Sequence, residues 1–183
     1  STTKFIIAYS DIDSNDGRAI ACTVSGVTIT AYTAQTFDSG NVGQKTLGFV
    51  SNSKLVLCWG SGDLYGCVVS CAATTPSFGS SLVIHDAPDP PYRIDGLTAN
   101  KFVVAYRNAT VPPYPVGDVV ILSVSGTTLL AGTAVEFKAY STGTFGVVAT
   151  DTTHFVIMYE RDAVSYSCSK YGTVDGTTIT LGD

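Results

Sequence analysis

Charged residues, tryptophan, methionine and histidine are all scarce in this sequence. Charged side chains make up 14% of the 183 residues, whereas about 25% is usual in soluble domains. The 10 Lys and Arg are scattered among 15 Asp and Glu, giving a net charge of −5. Because binding to a phosphate backbone requires a basic surface, nucleic acid is not an expected partner.

Long apolar runs and catalytic motifs are lacking as well. No apolar stretch approaches the ~20 residues of a membrane-spanning helix, so a membrane is not an expected partner. No G-x-S-x-G elbow, HExxH motif or phosphate loop is found. The two histidines, His85 and His154, lie far apart in the sequence. These absences predict a protein that is not an enzyme.

The polar residues that are present are mainly neutral: Thr, Ser, Gly and Asn. A surface of this kind is more usual outside the cell than in the cytosol. We therefore expect an extracellular location or a place on the surface of a virion or cell.

One strand-like segment recurs about every 50 residues, a period typical of repeat proteins. Its copies are KFIIAY at Lys4, KLVLCW at Lys54, KFVVAY at Lys101 and HFVIMY at His154. A second series accompanies it: ACTVSG (21–26), GCVVSC (66–71), ILSVSG (121–126) and SCSKYG (167–172). We interpret the two series as the same pair of strands in four units, 1–43, 44–90, 91–141 and 142–183.

Each unit is predicted to contain four short strands and no helix. In the third unit these strands span 93–98, 101–106, 118–125 and 127–137. The recurring segment is apolar on both of its faces, so each sheet must be covered on both sides. The sequence thus predicts an all-β protein: a single β-propeller domain, residues 1–183, with about four blades of four-stranded antiparallel sheets. A β-sandwich is the alternative.

The first unit has no counterpart of the strand that precedes the recurring segment in the other units. That strand is KTLGFVS in the second unit, RIDGLT in the third and FGVVAT in the fourth. The first blade is therefore expected to lack its inner strand. Three alternatives follow: the ring closes imperfectly, the chain is part of a larger propeller, or a neighbouring subunit completes it. We expect self-association or neighbouring structural subunits as partners.

Units of the form KFVVAY…G…VSGTTLLAGTAVEF resemble the propeller-type repeats of bacteriophage tail and surface proteins and of secreted bacterial proteins. The resemblance extends over nearly the whole chain, but it includes no catalytic motif. It implies a structural or attachment role, without enzymatic activity, in an extracellular or virion-surface assembly. The alternative is a lectin-like propeller that binds glycans.

One loop suggests a metal site. In DIDSNDG (11–17), the oxygen-bearing residues Asp11, Asp13 and Asn15 alternate as calcium ligands do, with Asp16 beside them. The glycine falls one place late, and no acidic residue follows at the distal position. The alternative is a polar hairpin turn. Apart from this calcium candidate, no cofactor is expected.

Aromatic side chains provide the candidates for glycan binding, because sugar rings stack on them. Trp59 ends the recurring strand, as Tyr9, Tyr106 and Tyr159 do in the other units. These positions could line repeated pockets or pack between blades. Tyr92 and Tyr114 lie beside prolines and are expected to be exposed.

Two covalent modifications are also suggested. Asn108 begins the sequon NAT in a Pro-rich segment, which would be glycosylated if the protein were secreted by a eukaryote. The 5 cysteines lack the spacing of a zinc site. Cys58 and Cys67 flank one hairpin and could form a cross-strand disulfide; burial as free thiols is the alternative.

Overall fold

The computed structural model describes residues 3–51, 53–111, 115–138, 142–161 and 166–182. These residues form four antiparallel sheets and no helix, which confirms the all-β class. It follows that no described helix could cross a membrane. Four separate sheets are also inconsistent with a two-sheet sandwich.

Strands are numbered along the chain, and the sheets follow the same order. Sheet 1 contains β1 (Thr3–Ser10), β2 (Gly17–Ser25), β3 (Thr28–Ala31) and β4 (Gln35–Asp38). Sheet 2 contains β5 (Lys45–Ser51), β6 (Lys54–Ser61), β7 (Asp63–Ser70), β8 (Ser77–Phe78) and β9 (Leu82–His85). Sheet 3 contains β10 (Pro88–Thr98), β11 (Lys101–Asn108), β12 (Val116–Ser125), β13 (Thr128–Ala131) and β14 (Val135–Lys138). Sheet 4 contains β15 (Thr142–Ala149), β16 (His154–Arg161), β17 (Tyr166–Asp175) and β18 (Thr178–Leu181).

The outer strand of sheets 1 to 3 is divided in two, unlike the single strand predicted over 127–137. In sheet 3, β13 pairs with one end of β12 and β14 pairs with the other. Sheets 1 and 2 repeat this arrangement with β3 and β4, and with β8 and β9. The short strands leave the middle of the sheet edge without a continuous partner.

Three hairpins turn at a glycine in the left-handed conformation. Gly26, Gly126 and Gly176 have φ values of +62°, +64° and +62°, as the first position of a type II′ turn requires. The hairpin of the fourth unit is therefore Val174-Asp175-Gly176, not the predicted SCSKYG segment.

The residues opposite Phe5, Leu55, Phe102 and Phe155 are Cys22, Val69, Leu122 and Gly172. The predicted register of the second series was wrong in the second and fourth units.

Sheets 2 and 3 each pack one face on the sheet before and the other on the sheet after, whereas sheets 1 and 4 each pack only one face on a described sheet. We call the face that carries Phe5, Ile7 and Tyr9, or their equivalents, the front, and the opposite face the back. Three buried clusters join fronts to backs. Leu57 and Trp59 pack with Ile6 and Ala8, Phe102, Val104 and Tyr106 with Val56 and Cys58, and Phe155, Ile157 and Tyr159 with Val103 and Ala105.

The row of four sheets is not closed. On the front of sheet 1, the Ile7 side chain is 46% exposed, and on the back of sheet 4, Met158 is 53% exposed. The residues equivalent to Ile7 in the internal contacts, Leu57, Val104 and Ile157, are buried, as are Cys58 and Ala105 at the Met158 position. The two ends of the row therefore present apolar faces that no described sheet covers.

Candidate functional site

The free edge of β1 is the feature that distinguishes sheet 1 from the other sheets. β6, β11 and β16 are each paired with an inner strand, β5, β10 and β15 respectively. β1 pairs with β2 on one side, and no described strand pairs with its other side. Alternate backbone N–H and C=O groups of an edge strand lack ladder partners, so they can pair with an added strand.

A groove of about 670 Å³ runs beside this edge. Phe5 and Ile6 of β1 line one side, and Leu47, Phe49 and Leu55 of sheet 2 line the other. Phe49 is 68% exposed and Leu47 is 37% exposed. Exposed apolar side chains beside a free strand edge are the two features that β-strand addition uses.

Leu47 and Phe49 are exposed because no described inner strand lies beside β1 to cover them. β10 lies along β5, and β15 lies along β10. Gly48 faces Ile94 and Phe102 of sheet 3, so Leu47 and Phe49, which alternate with it, face sheet 1. A fourth inner strand beside β1 would cover them as β10 covers Gly48.

Lysine side chains connect the sheets around the groove. The Lys4 ammonium donates to the carbonyl oxygens of Ala72 and Ala73, both at 3.1 Å. Lys54, at the equivalent position, donates to the Gly126 carbonyl oxygen at 3.0 Å. Lys45 donates to the Ser10 hydroxyl, and burial lowers the pKa of this lysine. The Lys4 and Lys45 bonds link sheet 1 to sheet 2 through side chains, and the backbone edge of β1 stays open.

Trp59 does not form the predicted aromatic platform. Its side chain is only 1% exposed, and its indole N–H donates to Asp38 Oδ2 at 2.6 Å. It stacks on Tyr65 with 5.7 Å between ring centroids and meets the edge of Phe37 at 5.0 Å. Trp59 lies on the front face of sheet 2, between sheets 1 and 2. Its side chain packs there and is not accessible to a glycan.

Tyr92 is also buried, contrary to the prediction of an exposed tyrosine. It is 3% exposed in β10, and its backbone N–H donates to Gln44 Oε1 at 2.9 Å. The Tyr92 ring lies against Gly60, where a Cβ atom would overlap it. The other predicted tyrosine, Tyr114, lies outside the described residues.

The Asp11 loop forms a hairpin turn and not the predicted calcium site. Asp11 Oδ1 accepts the Asp13 backbone N–H at 3.0 Å, and Asp11 Oδ2 lies 3.1 Å from the Arg18 guanidinium. Asn15 has φ +59° and donates its N–H to the Asp11 carbonyl. Asp16 lies 3.9 Å from Arg18. No group of three acidic, Cys or His residues converges on a metal position within the described ranges.

Asn108 is not an exposed glycosylation site. It is 8% exposed at the end of β11, and its Nδ2 donates to Asp118 Oδ2 at 2.8 Å. Its Oδ1 accepts bonds from the Thr110 backbone N–H and hydroxyl. A glycan on Nδ2 would have to displace Asp118, which is itself only 7% exposed.

Cys58 and Cys67 are free and buried, so the predicted disulfide is wrong. Cys67 lies opposite Leu57, whereas Cys58 lies opposite Gly66. Neighbouring positions along a strand point to opposite faces, which places Cys67 on the front of sheet 2 and Cys58 on the back. The two thiols pack in different clusters.

Burial of these thiols predicts a loss of stability at alkaline pH. Burial raises the pKa of Cys58, with Cys67 contributing, and raises that of Cys67 to about 12 from 9.0. Burial, with the charge of Asp118, also raises the pKa of Tyr106 from 10.0. Because the folded pKa values are raised, their stabilising effect is complete below the unfolded values and declines as pH rises above them.

We therefore expect the free energy of unfolding to be level from about pH 7 to 8. Above about pH 9 it should fall by about 1.4 kcal/mol per pH unit for each group that ionises only on unfolding. Urea titrations at pH 7, 9 and 10.5 measure this, and Cys67→Ala should make the decline between pH 9 and 10.5 shallower. A stability that is flat to pH 10.5 would contradict the expectation.

Comparison with known proteins gives a likeness of fold alone. No family model matches the sequence, and no curated protein matches it. Among solved structures, the chain is similar to the NanB sialidase from Streptococcus pneumoniae, in complex with 2-[(3-chlorobenzyl)ammonio]ethanesulfonate, with a TM-score of 0.57 and 10% identity. The match covers 86% of this chain but only 25% of the sialidase chain.

This likeness corrects the expectation that the protein is not an enzyme. The similar structure is itself an enzyme, so a lack of familiar motifs does not exclude catalysis on this fold. The comparison is weak evidence for an enzyme, because 10% identity transfers no catalytic residue.

The groove residues Leu47 and Phe49 were not among the candidates predicted from the sequence, although one sequence signal indicates them. They belong to KTLGFVS, the inner strand of the second unit. The repeat pattern of the sequence already indicated that the first unit lacks a corresponding strand. An inner strand without a preceding neighbour exposes one face, which here is the face with Leu47 and Phe49.

Proposed function

We propose that this chain is an open segment of a β-propeller that serves as a structural or attachment module. In this proposal it accepts an extended strand of a neighbouring subunit along β1. The observation that carries the proposal is the free edge of β1, at the place where the three other sheets hold an inner strand. The exposed Leu47 and Phe49 beside that edge supply the apolar contact.

The propeller assignment has two supports. Front-to-back packing of successive small antiparallel sheets is the arrangement of blades, and a β-propeller sialidase is similar in fold. The blades would be residues 1–43, 44–90, 91–141 and 142–183. The neutral, hydroxyl-rich composition supports a location outside the cell or on a virion or cell surface. The proposal concerns binding and is independent of any catalytic activity.

The bound segment would be an extended strand with apolar side chains on the face toward Leu47 and Phe49. Its backbone would form a ladder with β1, and its side chains would cover the groove. Glycan binding, the other function suggested by the sequence, loses two of its three named candidates because Trp59 and Tyr92 are buried.

A peptide with the sequence of Lys45–Ser51, KTLGFVS, is a suitable probe because it is an inner strand of the same chain. We expect saturable binding by isothermal titration calorimetry. Phe49→Ser in the protein should weaken binding about tenfold or more, since burying a Phe side chain contributes about 1.5–3 kcal/mol. Val83→Ser is the matched control, because Val83 is 45% exposed on β9, outside the groove.

A second control uses the peptide itself. Proline in place of its central glycine removes a backbone donor and should abolish binding. Equal binding of the proline peptide, or equal losses for Phe49→Ser and Val83→Ser, would show that capture is not by strand pairing in this groove.

A further inference from the structure

We infer that the front of sheet 1 binds the back of sheet 4 in a second copy of this chain. The two faces lie at opposite ends of the row of sheets and do not include the free edge of β1. Phe5 also lines the groove, but Ile7 and Ile29 on the same face and the residues on the back of sheet 4 do not. The two contacts can therefore be tested separately.

The front of sheet 1 is equivalent, residue by residue, to the front of sheet 3, which is buried against sheet 2. Phe5, Ile7 and Tyr9 of β1 occupy the positions of Phe102, Val104 and Tyr106, as their partners across the hairpin show. The hairpin strand adds Ile29 at the position of Leu129. Leu129 is 3% exposed, whereas Ile29 is 63% exposed, so sheet 1 presents the same surface without its cover.

The back of sheet 4 is the corresponding surface at the other end. Val156 and Met158 occupy the positions of Val103 and Ala105, which are buried against sheet 4. Val148 and Tyr171, the cross-strand partners of Val156, lie on the same face. Val148, Met158 and Tyr171 are 46%, 53% and 47% exposed.

The lysine position of the recurring strand is occupied differently in sheet 4. Lys4 and Lys54 reach forward to carbonyl groups of the next sheet. The equivalent residue of sheet 4, His154, instead places Nδ1 2.7 Å from Asp151 Oδ2 of its own sheet and stacks on Tyr171. The back of sheet 4 thus has the apolar surface of an internal contact but no neighbour.

A second copy supplies the missing partner at both ends. Every internal contact joins a front to a back, and one chain exposes one free front and one free back. Since the two faces differ, the contact is heterologous, and copies join head to tail into a closed ring or an open chain. No other partner needs to be invoked to cover either surface.

Sedimentation velocity over a wide dilution series tests this inference. We expect the native protein to associate, and Ile7→Lys or Met158→Lys to raise the dissociation constant about 100-fold or more, since each buries an unpaired charge. Leu130→Lys is the matched control, because Leu130 is 54% exposed but lies on sheet 3, between the two ends. Circular dichroism checks the fold; Ile29→Lys and Val148→Lys replace any variant that does not fold.

Mixing the two monomeric variants makes the test specific for a head-to-tail contact. The Ile7→Lys chain keeps an intact back of sheet 4, and the Met158→Lys chain keeps an intact front of sheet 1. We expect the mixture to form a dimer of one chain of each kind that grows no further. Phe49→Ser should leave association unchanged, which separates this contact from the groove.

Three results would overturn the inference. The first is a native protein that stays monomeric at all concentrations. The second is an association that Leu130→Lys disrupts as strongly as Ile7→Lys and Met158→Lys. The third is a mixture of the two variants that remains monomeric, because an intact front and an intact back would then be present together without joining.

Discussion

Replacing Gly117 with leucine is expected to lower the free energy of unfolding by about 3 kcal/mol or more. A Cβ atom at Gly117 would overlap the ring of Phe137. That ring is 1% exposed and packs against Phe145 and Tyr159, with centroid separations of 5.8 and 5.6 Å. Because its neighbours hold it in place, the ring has nowhere to move.

Sheet 2 shows how this clash can be relieved. Gly117 pairs with the residue after Phe137, and Leu64 pairs with the residue after Ile84. Leu64 and Ile84 therefore occupy the positions of Gly117 and Phe137, with a larger side chain on one strand and a smaller one on the other. Sheet 1 has the same combination as sheet 3, a glycine (Gly17) against a phenylalanine ring (Phe37).

The double variant Gly117→Leu/Phe137→Ile should therefore recover at least half of the stability lost by Gly117→Leu. Phe137→Ile alone should cost about 1–3 kcal/mol because it leaves a cavity. Urea unfolding of all four proteins measures the coupling free energy of the cycle. Costs that simply add would contradict the proposed exchange of volume between the two positions.

Replacing Asn108 with leucine is expected to cost about 2–4 kcal/mol of stability. The change removes the amide that donates to Asp118 Oδ2 at 2.8 Å, and both side chains are over 90% buried. The Asp118 carboxylate would then be buried without this donor. The two bonds from Thr110 to Asn108 Oδ1 would be lost as well.

Asp118→Asn is the matched control for this prediction. It removes the charge but keeps a side-chain oxygen that can accept the Asn108 amide, so its cost should be at most about 1 kcal/mol. Urea unfolding at pH 7 compares the two variants. An Asn108→Leu cost as small as that of Asp118→Asn would show that the carboxylate does not depend on this amide.

The sequence was sufficient to predict the repeated strands and the all-β class, because KFVVAY and its relatives are apolar on both faces. It was not sufficient to set the register of the hairpins. The fourth unit turns at Asp175-Gly176, and the second unit has no Ser-Gly pair at the corresponding place. The predicted register treated Cys67 and Cys168 as equivalent. In the structure Cys67 lies opposite Leu57 and Cys168 lies opposite Tyr159, which are different positions of the recurring strand.

The candidate sites show a similar limit. Trp59, Tyr92 and Asn108 were selected by residue type and local sequence, yet their exposure depends on a neighbouring sheet or strand. Phe49 was overlooked because an apolar residue in a strand is normally buried. Its exposure follows from the inner strand that the first sheet lacks, which the repeat pattern did predict.

Hydrogen exchange of the β1 backbone amides, with and without the KTLGFVS peptide, is the most direct test of strand capture. The amides that point to the free edge should exchange rapidly in the protein alone and slow down when the peptide is bound. Those paired with β2 should change little, and Phe49→Ser should remove the added protection at the same peptide concentration. Peptide binding that leaves the edge amides of β1 unprotected would contradict the proposal that this edge is an attachment site.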